Sequence, residues 1–168
     1  MTGSNRTPRL AIYGHPGFLA RRLQQIAVGV FLEETAGFDI TPVQYGLMIA
    51  IQSEPGIDQV SAGDRIGLDR TTVADIARRV ARKQWAKVLR DKTDQRLRRL
   101  YLTPTGRKVL RDIQPAVRRT QRRILDPLKI GARRDFCALI TQVISHHNAA
   151  SRVPMSGAKS KLGRHRPR

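Results

Sequence analysis

The chain has 168 residues, with 32 Lys+Arg against 13 Asp+Glu and a formal net charge of +19. That length suits one domain with an extension, 40% apolar residues are enough for a packed core, and a lone Cys137 excludes an internal disulfide framework or a Cys-rich zinc site. No apolar run nears the ~20 residues that cross a bilayer, and MTGSNRTPRLAIYGHPG has no apolar core of the secretory-signal kind, so a soluble, cytoplasmic protein without membrane contact is expected.

Residues 1–14 read as a flexible N-terminus. A first helix is predicted over 17–36, where Leu19, Leu23, Ile26, Ala27, Val30 and Phe31 recur at helical spacing before Gly37. Thr41 and Pro42 start a second: a threonine caps free backbone N–H groups, and proline at the first position gives up none that is needed. Its expected buried stripe is Val43, Leu47, Ala50 and Ile51, and Pro55-Gly56 breaks it. A short helix over 58–66 then ends near Gly67, and Asp69 caps another whose apolar stripe is Val73, Ile76 (or Ala77) and Val80. Two helices around a tight glycine turn form a helix-turn-helix pattern.

WAKVLR (85–90) and LRRLYL (97–102) read as two antiparallel strands around a charged loop over 91–96. Alternation puts Arg98 with Leu100 on one strand face and Arg99 with Tyr101 on the other. Thr103-Pro104 repeats the cap-plus-proline start. The helix after it carries Val109, Leu110, Ile113, Val117, Ile124 and Leu128, with Pro115 as a kink site and Pro127 at its end. A last helix over 132–148 uses Phe136, Leu139, Ile140, Val143 and Ile144, and residues 149–168 read as a disordered basic tail.

Charge tracks this order. Residues 1–60 hold four basic and five acidic side chains, so the excess of +20 lies beyond them, and residues 78–99 alone hold ten basic and two acidic. A one-signed block repels itself unless a polyanion neutralises it. A helix-turn-helix with a charged hairpin after it is a winged helix: its second helix enters a major groove while the hairpin tip reaches the backbone or the adjacent minor groove. The DNA-contact candidates are Arg70, Thr71, Thr72, Asp75, Arg78, Arg79 and Arg82 on that helix, with Lys92, Arg96 and Arg98 on the wing. Arg90 is a candidate brace for Asp94 rather than a DNA contact.

ITPVQYGLMIAI, GLDRTTVADIARRV and TDQRLRRLYLTPTGRKVL resemble the MarR family of bacterial winged-helix regulators over about residues 15–130. The most specific element is Asp94-x-Arg96 followed by Leu102-Thr103-x-x-Gly106. The resemblance implies a mainly α (α+β) fold. In it a winged helix-turn-helix DNA-binding domain (41–103) joins dimerisation helices (15–40 and 104–148) from both ends of the chain. It further implies that Asp94 braces the wing, that Arg96 touches DNA, and that the protein is a homodimer on a palindromic double-stranded operator. The terminal segments agree, having more apolar face than one small winged helix can cover.

Three places depart from the family pattern. Ala62-Gly63 stands for the usual Leu-Ala before the turn, which should weaken that helix by about 1 kcal/mol. Lys83, Gln84, Trp85 and Ala86 replace Arg-Gly-Leu-Val, so Gln84 must take a left-handed cap or the helix must end differently. Lys92 replaces the wing proline, leaving a looser, more basic tip.

Regulators resembling this chain often bind small aromatic acids between the dimerisation helices and the DNA-binding lobe. His15, Arg21, Arg22, Gln44, Tyr45 and Met48 are the ligand candidates, because arginine, histidine and an aromatic ring together hold an aromatic carboxylate. Core packing for Tyr45 and Met48 is the plainer alternative. Cys137 is expected on the apolar side of the last helix as an inert thiol, and His146-His147 has no partner at metal-ligand spacing. No cofactor is expected. Without a nucleophile elbow, phosphate loop, paired carboxylates or metal triad, the chain does not read as an enzyme. The expected function is a repressor released from its operator by an aromatic acid; the alternative is a non-specific or architectural nucleic-acid binder.

Overall fold

In the computed structural model, which describes residues 11–155, eight main elements succeed one another. They are α1 (Pro16–Glu34), α2 (Pro42–Ser53), α3 (Gln59–Ile66), α4 (Arg70–Arg82), β1 (Ala86–Arg90), β2 (Arg98–Leu102), α5 (Pro104–Leu125) and α6 (Ile130–His147). The result is a mainly helical winged helix-turn-helix, as expected.

Side chains write the helix starts. At α2 the Thr41 hydroxyl accepts from the Gln44 N–H (3.3 Å), while the Gln44 amide oxygen accepts from the Thr41 N–H (3.0 Å), a reciprocal capping box. Asp58 takes the Val60 and Ser61 N–H groups at α3, Asp69 takes Thr72 N–H at α4, and Thr103 takes Gly106 N–H at α5. α5 runs continuously through Pro115 to Leu125.

β1 and β2 pair antiparallel from Ala86↔Leu102 to Arg90↔Arg98. The segment between α2 and α3 adds a partial third strand: Gly56 N–H donates to Leu100 O (2.9 Å) and Leu100 N–H to Ile57 O (3.0 Å). Leu47, Met48, Ile51, Ile57, Val73, Val80, Leu100, Leu110 and Ile113 are fully buried and fuse helices, wing and α5 into one core. An ion-pair cluster pins α1 to α5. The Glu34 carboxylate takes Arg119 Nε at 2.7 Å and Arg123 Nη1 at 2.8 Å, and Glu33 takes Arg123 Nη2 at 2.9 Å.

Several expectations change. Ala11–Gly14, inside the stretch read as flexible, form one 3-10 turn, held where His15 N–H meets Ile12 O and where Tyr13 stacks on Phe18. Residues 149–155 of the expected disordered tail are also ordered here; the rest of that tail lies outside the described residues, as do residues 1–10. Val43 is exposed, although Gln44 beside it is buried. Of the α1 stripe only Phe31 is buried, and α6 buries nothing: Leu139 and Val143 are 62% and 61% exposed. Cys137 on α6 is exposed too, on a helix that has no buried residue.

Candidate nucleic-acid interface

α4 opens with its N-terminus free and its polar faces outward. Arg70, Thr71, Arg78, Arg79 and Arg82 are exposed, while Val73, Ile76, Ala77 and Val80 anchor the opposite face. The other two helix candidates are partly occupied. Thr72 Oγ1 donates to Asp69 Oδ2 (2.6 Å), so its hydroxyl belongs to the cap. Asp75 pairs with Arg79 Nε (2.7 Å) and Arg78 Nη2 (3.3 Å), which fixes two cations along the helix. Arg70 and Arg82 have no hydrogen-bond or ion-pair partner among the described residues. An open groove of about 610 Å³ is lined by Gln59, Asp75, Arg78, Arg82 and Val88.

At the end of α4 the departure from the family pattern resolves as expected. Gln84 takes φ 57°, its N–H reaching Ala81 O (2.9 Å), and Trp85 N–H reaches Val80 O (3.1 Å), a Schellman cap built without glycine. Lys83 stacks 4.7 Å from the Trp85 ring centre and pairs with Asp39 at 2.6 Å. At the other departure, Gly63 sits where α3 and α4 pack closely. A Cβ at Gly63 would stand 2.8 Å from Leu68 O and 3.0 Å from Val73 Cγ1, so α3 and α4 meet more closely here than alanine permits.

On the wing, Lys92 and Arg96 are exposed at the tip, and Arg98 is half-buried at the outer end of β2 on the Leu100 face. Asp94 holds the tip only locally, accepting the Arg96 N–H at 2.9 Å. The larger brace is Asp91, a residue that sequence pattern alone does not single out. Its Oδ1 accepts from Thr93 N–H (2.8 Å), Thr93 Oγ1 (2.6 Å) and Asp94 N–H (3.0 Å), and its Oδ2 from Arg99 Nε (2.6 Å). Arg99 Nη1 continues to Gly56 O (3.2 Å), tying the wing to the loop before α3. The Thr93 hydroxyl first, then the Asp94 N–H and the Arg99 guanidinium, hold the Asp91 carboxyl far below the usual carboxylate range. Arg90, expected as the brace, makes no such bond among the described residues.

Thr103 and Gly106 explain the specificity of their motif. Thr103 Oγ1 donates to Gln84 O (2.6 Å) and Thr103 N–H to Trp85 O (3.0 Å), joining the end of α4 to the start of α5. A Cβ at Gly106 would fall 1.9 Å from Trp85 O, so only glycine fits.

Several solved structures share this fold. The PcaV transcriptional regulator of Streptomyces coelicolor, in complex with its natural ligand, is 34% identical, with a TM-score of 0.75 over 83% of this chain and 98% of that one. The chain belongs to the MarR family of transcriptional regulators. Two further structures have the MarR fold: the repressor CouR bound to a 23-mer DNA duplex (21% identical, TM-score 0.74, 80% and 98% of the two chains) and MarR of E. coli (19%, 0.66, 77% and 97%). Curated relatives described as transcriptional regulators are 30–35% identical, and the chain spans 53–64% of their lengths. No family model matches.

The six ligand candidates lie at different depths of this MarR chain. Met48 is fully buried core, and the Gln44 amide oxygen serves the capping box. Tyr45 is half-buried, its ring 5.8 Å from Phe31 and its hydroxyl accepting from Gln114 Nε2 (3.3 Å). His15, Arg21 and Arg22 are exposed on or beside α1, and Arg22 donates to Gln25 (2.9 Å). Among the described residues no cluster of His, Cys, Asp or Glu could hold a metal, and no helix is long and apolar enough to cross a membrane.

Proposed function

We propose that this chain is a homodimeric, sequence-specific DNA-binding transcriptional regulator, a repressor that a small aromatic carboxylic acid releases from its operator. The observation that carries the reading is the cationic surface running from α4 to the wing. Arg70, Thr71, Arg78, Arg79 and Arg82 stand on an exposed helix face, and Lys92 and Arg96 stand at a wing tip braced by Asp91 and Arg99. Side chains of this kind reach base edges from a helix seated in the major groove, while wing cations meet phosphate. Uncovered apolar residues on α1 and α6 support the dimer, which sets two such helices against two half-sites about one helical turn apart.

For the ligand, His15, Arg21, Arg22 and Tyr45 keep free or partly exposed groups and remain the candidates, whereas Gln44 and Met48 act structurally. Release requires that the acid bind a dimer shape with wrongly spaced recognition helices more tightly than the operator-fitting shape. That PcaV was solved with a natural ligand supports looking for one here.

The test is a titration of the purified protein against its own upstream intergenic DNA and a scrambled duplex, at physiological ionic strength, with a panel of aromatic acids. The expected outcome is a preference of about 10³-fold or more for its own DNA, relieved by one acid. Equal binding to both duplexes would replace this reading with an architectural nucleic-acid binder, for which the net charge of +19 is the favouring feature.

A further inference from the structure

The C-terminal end of α4 is held from two sides. On one side Lys83 reaches Asp39, which follows a 3-10 turn (Ala36–Phe38) behind α1. Its Nζ donates to the Asp39 carboxylate at 2.6 Å and also to the Asp39 carbonyl, and lies 4.7 Å from the centre of the Trp85 ring. On the other side Gln84 O and Trp85 O accept from Thr103 Oγ1 and Thr103 N–H at the start of α5, with Gly106 packed against the same Trp85 carbonyl. Glu34 with Arg119 and Arg123 then pins α1 to α5, which closes a ring of contacts. The recognition helix is thus tied by its far end to the chain that leaves α1 and to the chain that enters α5.

The backbone at this joint is unusual. Among the described residues, Asp39 (φ 48°) and Gln84 (φ 57°) are the two non-glycine positions with left-handed backbone. One accepts the Lys83 ammonium and the other follows Lys83 directly. Such backbone persists where surrounding contacts over-determine it. An isolated surface ion pair holds little, but this ammonium meets a carboxylate, a carbonyl and a ring face together, on a side chain only 26% exposed. Unlike Arg70 and Arg82, this cation is engaged within the protein.

We propose that Lys83 is a positioning residue that fixes the angle of α4 against α1 and α5, and thereby makes the protein selective for the spacing between operator half-sites. This role rests on the proposed dimer on a palindrome. In a twofold dimer the separation of the recognition helices depends on how each is held to the dimerising helices. One base pair inserted between half-sites moves one of them by about 3.4 Å and turns it by about 34°. A stiff joint rejects that change and a loose one follows it.

The experiment compares the full chain with Lys83→Gln, Asp39→Asn and Lys83→Arg. Asparagine tolerates left-handed backbone, so Asp39→Asn removes the charge and leaves the turn. Each protein is titrated with an isolated half-site, with its own upstream operator, and with that operator carrying one or two base pairs inserted between half-sites. The emission of Trp85, the single tryptophan, is recorded in the free protein as a direct readout of the cation on the ring. For the wild type each inserted base pair is expected to weaken binding about tenfold or more, part of the ~100-fold gain from linking two half-sites. Lys83→Gln and Asp39→Asn should lose about threefold or less on the same insertion, with half-site affinity unchanged. Lys83→Arg should keep the wild-type penalty, and Trp85 emission should shift in Lys83→Gln. A full operator preferred by all four proteins with equal insertion penalties would overturn the joint alone. So would Lys83→Gln weakening half-site and operator by one common factor, or leaving Trp85 emission unchanged. A wild type that holds the half-site as tightly as the operator would overturn the dimeric reading beneath it.

Discussion

Asp91 shows how much one side chain can organise on a wing. Its two oxygens accept four hydrogen bonds, from Thr93 N–H and Oγ1, Asp94 N–H and Arg99 Nε, and through Arg99 the hairpin is fixed to the Gly56 carbonyl. A tip held this way loses less conformational freedom when it meets DNA, which favours affinity by lowering the ordering cost. Asp91→Ala should therefore weaken operator binding by about tenfold and speed hydrogen exchange at the Thr93 and Asp94 amides. Wild-type affinity together with faster exchange would separate the brace from DNA binding. The brace is hard to see in sequence because its charged partner, Arg99, sits eight residues away across the hairpin, in a register that strand spacing alone does not set. Asp94 stands out as part of a recognisable motif, yet its carboxylate reaches only the N–H two residues on.

At the scale of elements, the join between α1 and α5 is electrostatic where it is most exposed to test. Arg119 first and then Arg123 hydrogen-bond Glu34 and hold its carboxyl below its ordinary 4.5. A carboxyl whose folded pKa is depressed contributes stability that is fully present above its unfolded value and is lost as the pH falls through the lower folded value. Melting temperature should consequently fall as the pH drops below about 4.5. Glu34→Gln should melt lower than wild type at neutral pH and converge with it in acid. Parallel melting curves for the two proteins at every pH would refute the clamp; the comparison is needed because Asp58, Asp69 and Asp91 also sit below their ordinary values. Element starts are legible in sequence because caps are local: Thr41, Asp69 and Thr103 each act within three residues. The glutamate-arginine clamp, 85 to 90 residues apart in the chain, leaves no local pattern to read. Gly63 is legible as unusual but not as closely packed, since only the folded structure shows Leu68 O 2.8 Å from where a Cβ would go.

For the molecule as a whole, the unsatisfied term is the apolar surface left open. Ile130, Leu139 and Val143 on α6 are 84%, 62% and 61% exposed, Ile144 is exposed beside them, and Leu19, Ile26 and Leu32 are exposed on α1. Periodicity makes those faces legible as faces meant for burial, but what buries them is not a property of one chain. At ~25 cal/mol for each Å² removed from water, a two-helix face of this kind is a strong drive to associate. Under the proposed homodimer a second copy would cover these faces, and two recognition helices in a twofold dimer would match a palindrome whereas one reads only half of it. Leu139→Glu with Val143→Glu should lower the mass measured by light scattering from twice 18.9 kDa to 18.9 kDa. The same protein should keep its helical signal and bind an isolated half-site as the wild type does. On the full operator it should bind about 100-fold or more weakly, the gain that linking two binding events confers. A double variant that stays dimeric would place the interface elsewhere. One that becomes monomeric yet holds the operator at full strength would mean that α4 and the wing bind DNA without a partner chain.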